Sequence, residues 1–133
     1  MLGEKIGEEK GKITGRRVLP SLGPGPTMEI SFQAEGSIFG VAHRTIATYT
    51  SVMRPDGSLL GSGQGVAMGA EGTATWVGQG AGSIRKDGSV SYRGALFYHS
   101  ASPKWARLNA VAAVFEYEVD PQGNTTAEMW EWK

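Results

Sequence analysis

The sequence contains no cysteine, so disulfide bonds, thiolate catalysis and cysteine-based zinc sites are excluded. Its two histidines, His43 and His99, form no His-x-His or His-Glu-x-x-His pattern, and we therefore predict no metal site. No window approaches the roughly 18 apolar residues of a transmembrane helix, and the first residues lack the apolar segment of a signal peptide. These absences predict a soluble, cytoplasmic protein without membrane contacts.

Net charge is absent as well, because 13 Lys and Arg residues balance 13 Asp and Glu residues. Nucleic-acid binding normally needs a basic face, so we expect no nucleic-acid partner. The glycines follow Gly-x-Gly-x-Gly rather than the Gly-x-Gly-x-x-Gly of dinucleotide sites, and neither Gly-Lys-Ser nor Gly-Lys-Thr occurs. We therefore predict that the protein uses no cofactor.

Alternation of apolar and polar residues is the main structural signal in the chain. It runs from Met28 to Ala34 and from Val111 to Val119, as a strand with one buried face requires. Turn signals such as Arg54-Pro55-Asp56-Gly57, Lys86-Asp87-Gly88, Glu35-Gly36 and Pro121-Gln122-Gly123-Asn124 separate the alternating segments. The pattern predicts eight strands, at about 4–18, 27–35, 37–53, 58–68, 73–84, 89–99, 111–119 and 125–132.

Only residues 102–109 suggest a helix, because Ser102 before Pro103 is a suitable helix start, and the segment is long enough for two turns at most. Short turns between strands imply antiparallel neighbours, and closure removes the exposed edges of an eight-strand sheet. We predict an all-β fold: a single domain over residues 1–133 that forms a closed antiparallel barrel. A sandwich is the alternative.

Residues 58–84 contain eight glycines and a single charged residue, Glu71. Gly61, Gly63 and Gly65 share one strand face, and Gly78, Gly80 and Gly82 share a face of the next strand. Interior glycines weaken a strand, so they indicate either sharp barrel coiling or the close approach of another group. They would also leave room opposite for four large side chains, namely Trp76, Phe97, Phe115 and Trp130.

The scarcity of charge in this segment also bears on assembly. The outer face of a monomeric barrel usually carries charged side chains of both signs, whereas these two strands would present Ser, Thr, Gln and small residues. Ala112 and Val114 add apolar positions to the expected outer face of the seventh strand. We therefore predict a homo-oligomer that buries this region.

Three residues of the sixth strand are candidate polar contacts for a ligand. His99 lies at the strand end, where imidazole suits a general acid or base, but a hydrogen-bonded histidine at the barrel rim is the favoured interpretation. Arg93 would need a carboxylate if it pointed inward, with Glu116 or Glu128 as partner, and would be solvated if it pointed outward.

Tyr98 lies on the face opposite to these two residues and supplies a hydroxyl group. Arg44 and Tyr49 of the third strand have the same ambiguity of direction as Arg93. Together with Trp76 and Phe115, these residues complete the predicted ligand-binding set.

The order of about eight strands with one irregular cap after the sixth resembles the allene-oxide-cyclase-like barrel class, which includes uncharacterised bacterial proteins of similar length. Four segments carry this resemblance: Gly61–Val66, Tyr92–Gly94, Arg107–Asn109 and Trp130–Lys133. The resemblance implies an apolar cavity and, in many members, a homo-oligomer. No segment matches a cyclase catalytic motif, so no catalytic residue is assigned.

These observations favour a barrel that binds a small apolar or amphipathic molecule in its interior. One alternative is an isomerase or cyclase without a cofactor, using Arg93, His99 and Tyr98 as polar groups. The other is an interaction module with a solid core, which would use the glycine-rich hairpin as its contact surface. A cavity inside the barrel would separate the first two roles from the third.

Overall fold

The structure, a computed structural model, describes residues 1–21, 23 and 25–133. Within these residues eight strands form a closed antiparallel barrel in which each strand pairs with its sequence neighbours and the last pairs with the first. The strands are β1 (Leu2–Leu19), β2 (Thr27–Ile38), β3 (Val41–Met53), β4 (Leu59–Gly69), β5 (Gly72–Ile84), β6 (Val90–Ser100), β7 (Ala112–Val119) and β8 (Asn124–Trp132). The predicted barrel is confirmed.

Alternation of side chains about the barrel wall explains why the sequence pattern located the strands so closely. In β3, His43, Thr45 and Ala47 are buried, whereas Arg44 and Ile46 between them are exposed. Closure gives each strand a partner strand on both sides, although the last part of β1, after Lys12, pairs with β2 alone. In the described part of the chain, no helix has the length and apolar character needed to span a membrane.

The predicted reversal at Glu35-Gly36 is wrong. β2 continues to Ile38, and the chain turns at Phe39 and Gly40, which have φ angles of 49° and 76°. Gly36 instead lies where a Cβ atom would collide with the backbone carbonyl oxygen of Glu8 on β1. Glycine is therefore required at position 36 because two strands approach closely there, and not because the chain turns.

Two turns at one end of the barrel share the pattern Arg-x-Asp-Gly-Ser, from Arg54 to Ser58 and from Arg85 to Ser89. In each, the aspartate Oδ1 accepts hydrogen bonds from the serine backbone N–H, at 2.9 Å, and from the serine hydroxyl. The glycine, which has a positive φ, follows the aspartate and allows the chain to reverse. These turns surround one opening of the barrel.

The opposite end is closed by a 3₁₀ helix, Pro103–Ala110, close to where the short helix was predicted. Trp105 and Leu108 from this helix are 1% and 0% exposed. The indole Nε1 of Trp105 donates a hydrogen bond of 3.1 Å to the carbonyl oxygen of Ile38. The helix therefore acts as a plug fixed to the end of β2.

Candidate functional site

The inner face of β4 and β5 is a strip of glycine, and large side chains from elsewhere in the barrel lie against it. This glycine strip consists of Gly61, Gly63 and Gly65 on β4 and of Gly78, Gly80 and Gly82 on β5. A Cβ atom added to Gly61 would lie 3.0 Å from the Tyr92 ring, and one added to Gly80 would lie 3.0 Å from the Phe115 ring. The missing side chains therefore provide the space in which these rings pack.

The four large side chains that were expected to fill this space divide into two pairs. Trp76 packs against Gly65, and Phe115 packs against Gly80. Phe97 is 55% exposed on the outer face of β6, and Trp130 lies next to outward-facing Val114 in the β7–β8 register, so the prediction is wrong for these two. Side chains alternate between the two faces of a strand, and both residues occupy positions that point outward.

A cavity of about 70 Å³ remains inside the barrel after these rings have packed. Its wall is almost entirely apolar and aromatic and includes Phe32, Trp76, Leu96 and Met129. Since a single water needs roughly 10–15 Å³ on this measure, the space holds a few waters or a small molecule. Glu9 is the one charged side chain among the described residues that line it.

Glu9 belongs to a buried polar cluster on β1 and β3. Its carboxylate Oε2 lies 2.6 Å from Nε2 of His43 and accepts a hydrogen bond of 2.6 Å from the hydroxyl of Thr45. The Glu9 side chain is 10% exposed and the His43 side chain is 0% exposed. Nδ1 of His43 is buried and has no hydrogen-bond partner among the described residues. Two donors thus hold a single oxygen of the carboxylate.

The hydroxyl group of Tyr98 lies in the same cavity. Burial raises the pKa of Tyr98, and the negative charge of Glu9 raises it further. This hydroxyl makes no hydrogen bond to the other residues that the structure describes and is accessible from the cavity. Tyr98 is therefore a neutral, unengaged donor and acceptor beside a carboxylate.

A layer of three tyrosines separates this cavity from the open end of the barrel. We name Tyr49, Tyr92 and Tyr117 the tyrosine layer. Their ring centroids lie 5.7–6.1 Å apart. The Tyr92 hydroxyl is 2.7 Å from Oγ of Ser51, whereas the hydroxyls of Tyr49 and Tyr117 are 3.4 Å apart. Burial raises the pKa of all three groups.

Beyond the tyrosine layer a pocket of about 220 Å³ opens at the end of the barrel that carries the Arg-x-Asp-Gly-Ser turns. We name this pocket the mouth. Its walls are mainly aliphatic and include Met28, Met53 and Val119, and Tyr49 and Tyr92 form part of both the mouth and the inner cavity. The two spaces are thus divided by aromatic rings and not by backbone.

The structure divides the predicted ligand-binding residues into two groups. Tyr49, Trp76, Tyr98 and Phe115 line the inner cavity. Arg44, Arg93 and His99 are exposed on the outer face of the barrel. The two groups therefore do not form one constellation, and the suggested combination of Arg93, His99 and Tyr98 is not brought together.

Arg93 points outward and takes part in an ion-pair cluster on the surface. Its guanidinium lies 2.8 Å from a carboxylate oxygen of Glu118 and 3.7 Å from one of Glu116. Partial burial works to raise the pKa of Glu118, but hydrogen bonds from Arg93, Ser91 and Arg85 outweigh it and lower this pKa to about 2. The side chain of Arg93 therefore does not reach the interior of the barrel.

Sequence analysis missed Glu9, His43 and Thr45 as a site. Glu8-Glu9-Lys10 has the composition of a solvated strand, and its charge hides the fact that Glu9 shares a face with Gly7 and Gly11. The available signal was this alternation, since only one of two adjacent glutamates can point outward from a barrel wall. In the part of the chain that the structure describes, no three potential metal ligands converge.

No protein-family model matches the sequence, and no curated protein matches it. Among solved structures, the barrel is similar to a conserved protein of unknown function from Rhodopseudomonas palustris, with a TM-score of 0.84 and 9% identity over 98% of this chain and 97% of that one. A protein of unknown function from Clostridium acetobutylicum has a TM-score of 0.83 and 13% identity over 98% of both chains.

A β-barrel-like protein from Acinetobacter baumannii matches with a TM-score of 0.83 and 10% identity, over 100% of this chain and 96% of that one. At such low identities the similarity shows a shared fold and nothing more. The chain has the same barrel fold as these three bacterial proteins.

Proposed function

We propose that the protein binds a small apolar or amphipathic molecule inside the barrel. The observation that supports this is the cavity beside Glu9, because eight-strand barrels have just enough interior to be filled by side chains or to hold one small ligand. Here four glycines of the glycine strip, Gly61, Gly63, Gly78 and Gly80, form part of the cavity wall. An apolar cavity with few polar groups is the usual form of a small-molecule site.

The open end of the barrel gives the ligand its access route. Trp105 and Leu108 close the other end, whereas the mouth leads inward as far as the tyrosine layer. Tyr49 is the least buried ring of the tyrosine layer, and its hydroxyl is 3.4 Å from that of Tyr117, at the long limit of a hydrogen bond. Movement of Tyr49 would join the two spaces and admit a longer molecule.

The five methionines of the chain provide a test of this proposal by NMR of selectively ¹³C-labelled methyl groups. Met129 lines the inner cavity, Met28 and Met53 line the mouth, and Met68 faces outward on β4. Xenon is the first probe, because it is small and binds in apolar cavities. Hexanol is the second, because it adds a hydroxyl group to an apolar chain.

We expect both probes to shift the Met129 methyl signal in a saturable manner and to leave that of Met68 unchanged. Hexanol should also shift the signals of Met28 and Met53 if its chain passes the tyrosine layer. An unchanged Met129 signal with both probes would overturn the proposal. Shifts of equal size at Met68 would do the same, because they would indicate surface contacts only.

We further propose that two copies of the chain associate through the outer face of β4, β5 and β6. Val77 and Phe97 are neighbours in the strand register and are 58% and 55% exposed, and Ile46 on β3 is 47% exposed. Residues 58–84, which include β4 and β5, carry a single charge, at Glu71 in the turn between these strands. On β6, the exposed Arg93 is paired with Glu118, which limits like-charge repulsion between two such faces. Exposed apolar patches of this kind mark interaction surfaces.

Light scattering at several concentrations tests this association. The wild-type chain should form an oligomer, and Phe97→Glu should convert it to a monomer with an unchanged circular dichroism spectrum. Val18→Glu is the matched control, because Val18 is 77% exposed on β1, away from this face. A wild-type monomer at every concentration would contradict the proposal.

We propose a cofactor-free isomerase of the allene-oxide-cyclase-like class as the alternative function. The polar groups expected for such an enzyme are Arg93, His99 and Tyr98, and of these Tyr98 alone lines the cavity.

A further inference from the structure

The inner cavity has a defined polar end, formed by the carboxylate of Glu9. Glu9 on β1 and His43 on β3 both lie opposite Gly36 of β2, and the absence of a side chain at Gly36 allows the carboxylate to reach the imidazole across the strand between them. Thr45 binds the same oxygen, Oε2. The carboxylate is therefore fixed in position rather than free to rotate.

The second oxygen of this carboxylate, Oε1, has no hydrogen-bond partner among the residues that the structure describes. The side chain that carries it is nine-tenths buried and lines the cavity. Because Oε1 is accessible from the cavity and receives no hydrogen bond from the described residues, an occupant of the cavity can donate one to it. The unengaged hydroxyl of Tyr98 is available as a second contact for the same occupant.

Oε1 accepts hydrogen bonds, and the wall of the cavity around it is almost entirely apolar. An anionic head group would face the carboxylate directly, because no lysine or arginine among the described residues lines the cavity.

We infer that the ligand is an amphiphile whose head group donates hydrogen bonds, an amine or a hydroxyl and not a carboxylate, and that this head group binds Oε1 of Glu9. The apolar tail lies among Phe32, Leu96 and Phe115 and extends towards the tyrosine layer. The inference rests on the proposed function, because it assigns an orientation and a chemical class to the ligand of the same cavity.

Three compounds with the same tail test the inference: hexylamine, hexanol and hexanoate. Their dissociation constants are measured by calorimetry, with the Met129 methyl signal as proof that each binds in the cavity. The wild-type protein should bind hexylamine and hexanol, and should bind hexanoate at least tenfold more weakly. The order of hexylamine and hexanol shows whether the site carries a net negative charge.

Glu9→Gln is the decisive variant, because it keeps the size of the side chain and replaces one acceptor with a donor. We expect it to weaken hexylamine binding by about tenfold or more, as for the loss of a charge-assisted hydrogen bond. Binding of hexanoate should become stronger. Glu8→Gln is the matched control, because Glu8 is the preceding residue and its side chain is 64% exposed; it should leave all three constants unchanged.

Thr45→Val keeps the test valid if Glu9→Gln does not fold. This variant preserves the carboxylate and removes one of the two donors that fix it, so the preference for amine over carboxylate should persist while both affinities change. Equal binding of the three compounds to the wild-type protein and to Glu9→Gln would overturn the inference and leave the proposed function standing. No binding of any of them, or of xenon, would overturn the proposed function itself.

Discussion

Glu9 and His43 contact each other across the backbone of Gly36, with Oε2 of the carboxylate 2.6 Å from Nε2 of the imidazole. The two residues lie on strands that are not neighbours, and Gly36 occupies the matching position on the strand between them. A side chain at position 36 would occupy the path of the contact. The arrangement of three strands, and not any local motif, thus produces the polar end of the cavity.

Gly36→Ala should therefore destabilise the protein strongly. Its Cβ atom would meet backbone atoms of Glu8 and Glu9, which have no room to move within a paired strand. We expect a loss of more than about 2 kcal/mol in the free energy of unfolding, measured with urea. The matched control is Gly15→Ala on β1, where an added Cβ meets nothing within 4 Å. Similar losses for the two variants would contradict this account of Gly36.

Trp105 should contribute more to stability than any exposed tryptophan. It is 1% exposed, fills the end of the barrel and donates a hydrogen bond to Ile38. Trp105→Ala should lower the free energy of unfolding by about 3–5 kcal/mol. Trp132→Ala, at a position that is 60% exposed, should change it by about 0.5 kcal/mol or less. A small effect at Trp105 would show that the 3₁₀ helix does not plug the barrel in solution.

Acid should weaken the surface cluster around Glu118. The pKa of this group is lowered to about 2 in the folded protein, against an ordinary value of 4.5. A lowered carboxyl pKa contributes stability that is present above the ordinary value and is lost as the pH falls from about 4.5 towards 2.

Urea unfolding at several pH values measures this contribution. Glu118→Gln should reduce the dependence of stability on pH within that window, whereas Glu35→Gln at an exposed position of β2 should not. An unchanged dependence in Glu118→Gln would show that the ion pairs to Arg85 and Arg93 do not persist in solution.

Alkaline titration should find no tyrosine that ionises at its ordinary pKa in the folded protein. The chain has four tyrosines, and burial raises the pKa of each of them. Because a raised tyrosine pKa stabilises the folded state only below the ordinary value of about 10, stability should fall as the pH rises above that value. Tyrosinate absorbance should appear together with loss of the circular dichroism signal. Its appearance at about pH 10 in the folded protein would contradict the burial of these rings.

The sequence predicted the strands and the closed barrel because alternation and turn residues are local signals. Each predicted strand begins and ends within a few residues of the observed one. The largest differences are at the end of β2 and the start of β3, where Gly36 was interpreted as part of a turn. Gly36 misled because a glycine required by a neighbouring strand looks the same in sequence as one required by a positive φ. Only the register of β1 against β2 distinguishes the two cases.

The candidate site was less accessible to sequence analysis. Trp76 and Phe115 were predicted from the room that the glycines leave, Tyr98 was predicted for its hydroxyl group, and the direction of Tyr49 was left open; all four line the cavity. Glu9 was not, because a charged residue between Glu8 and Lys10 is typical of a solvated surface. Its inward direction follows from the phase of β1, and its partner His43 becomes visible only when β1, β2 and β3 are aligned.

An intermolecular nuclear Overhauser experiment with hexanol and ¹³C-methyl-methionine protein tests the central claim most directly. If the barrel interior is the binding site, the alkyl protons of hexanol should show contacts to the Met129 methyl group and none to that of Met68. Contacts to Met68 alone, or no contact to Met129 at saturating hexanol, would show that the interior of the barrel does not bind the ligand.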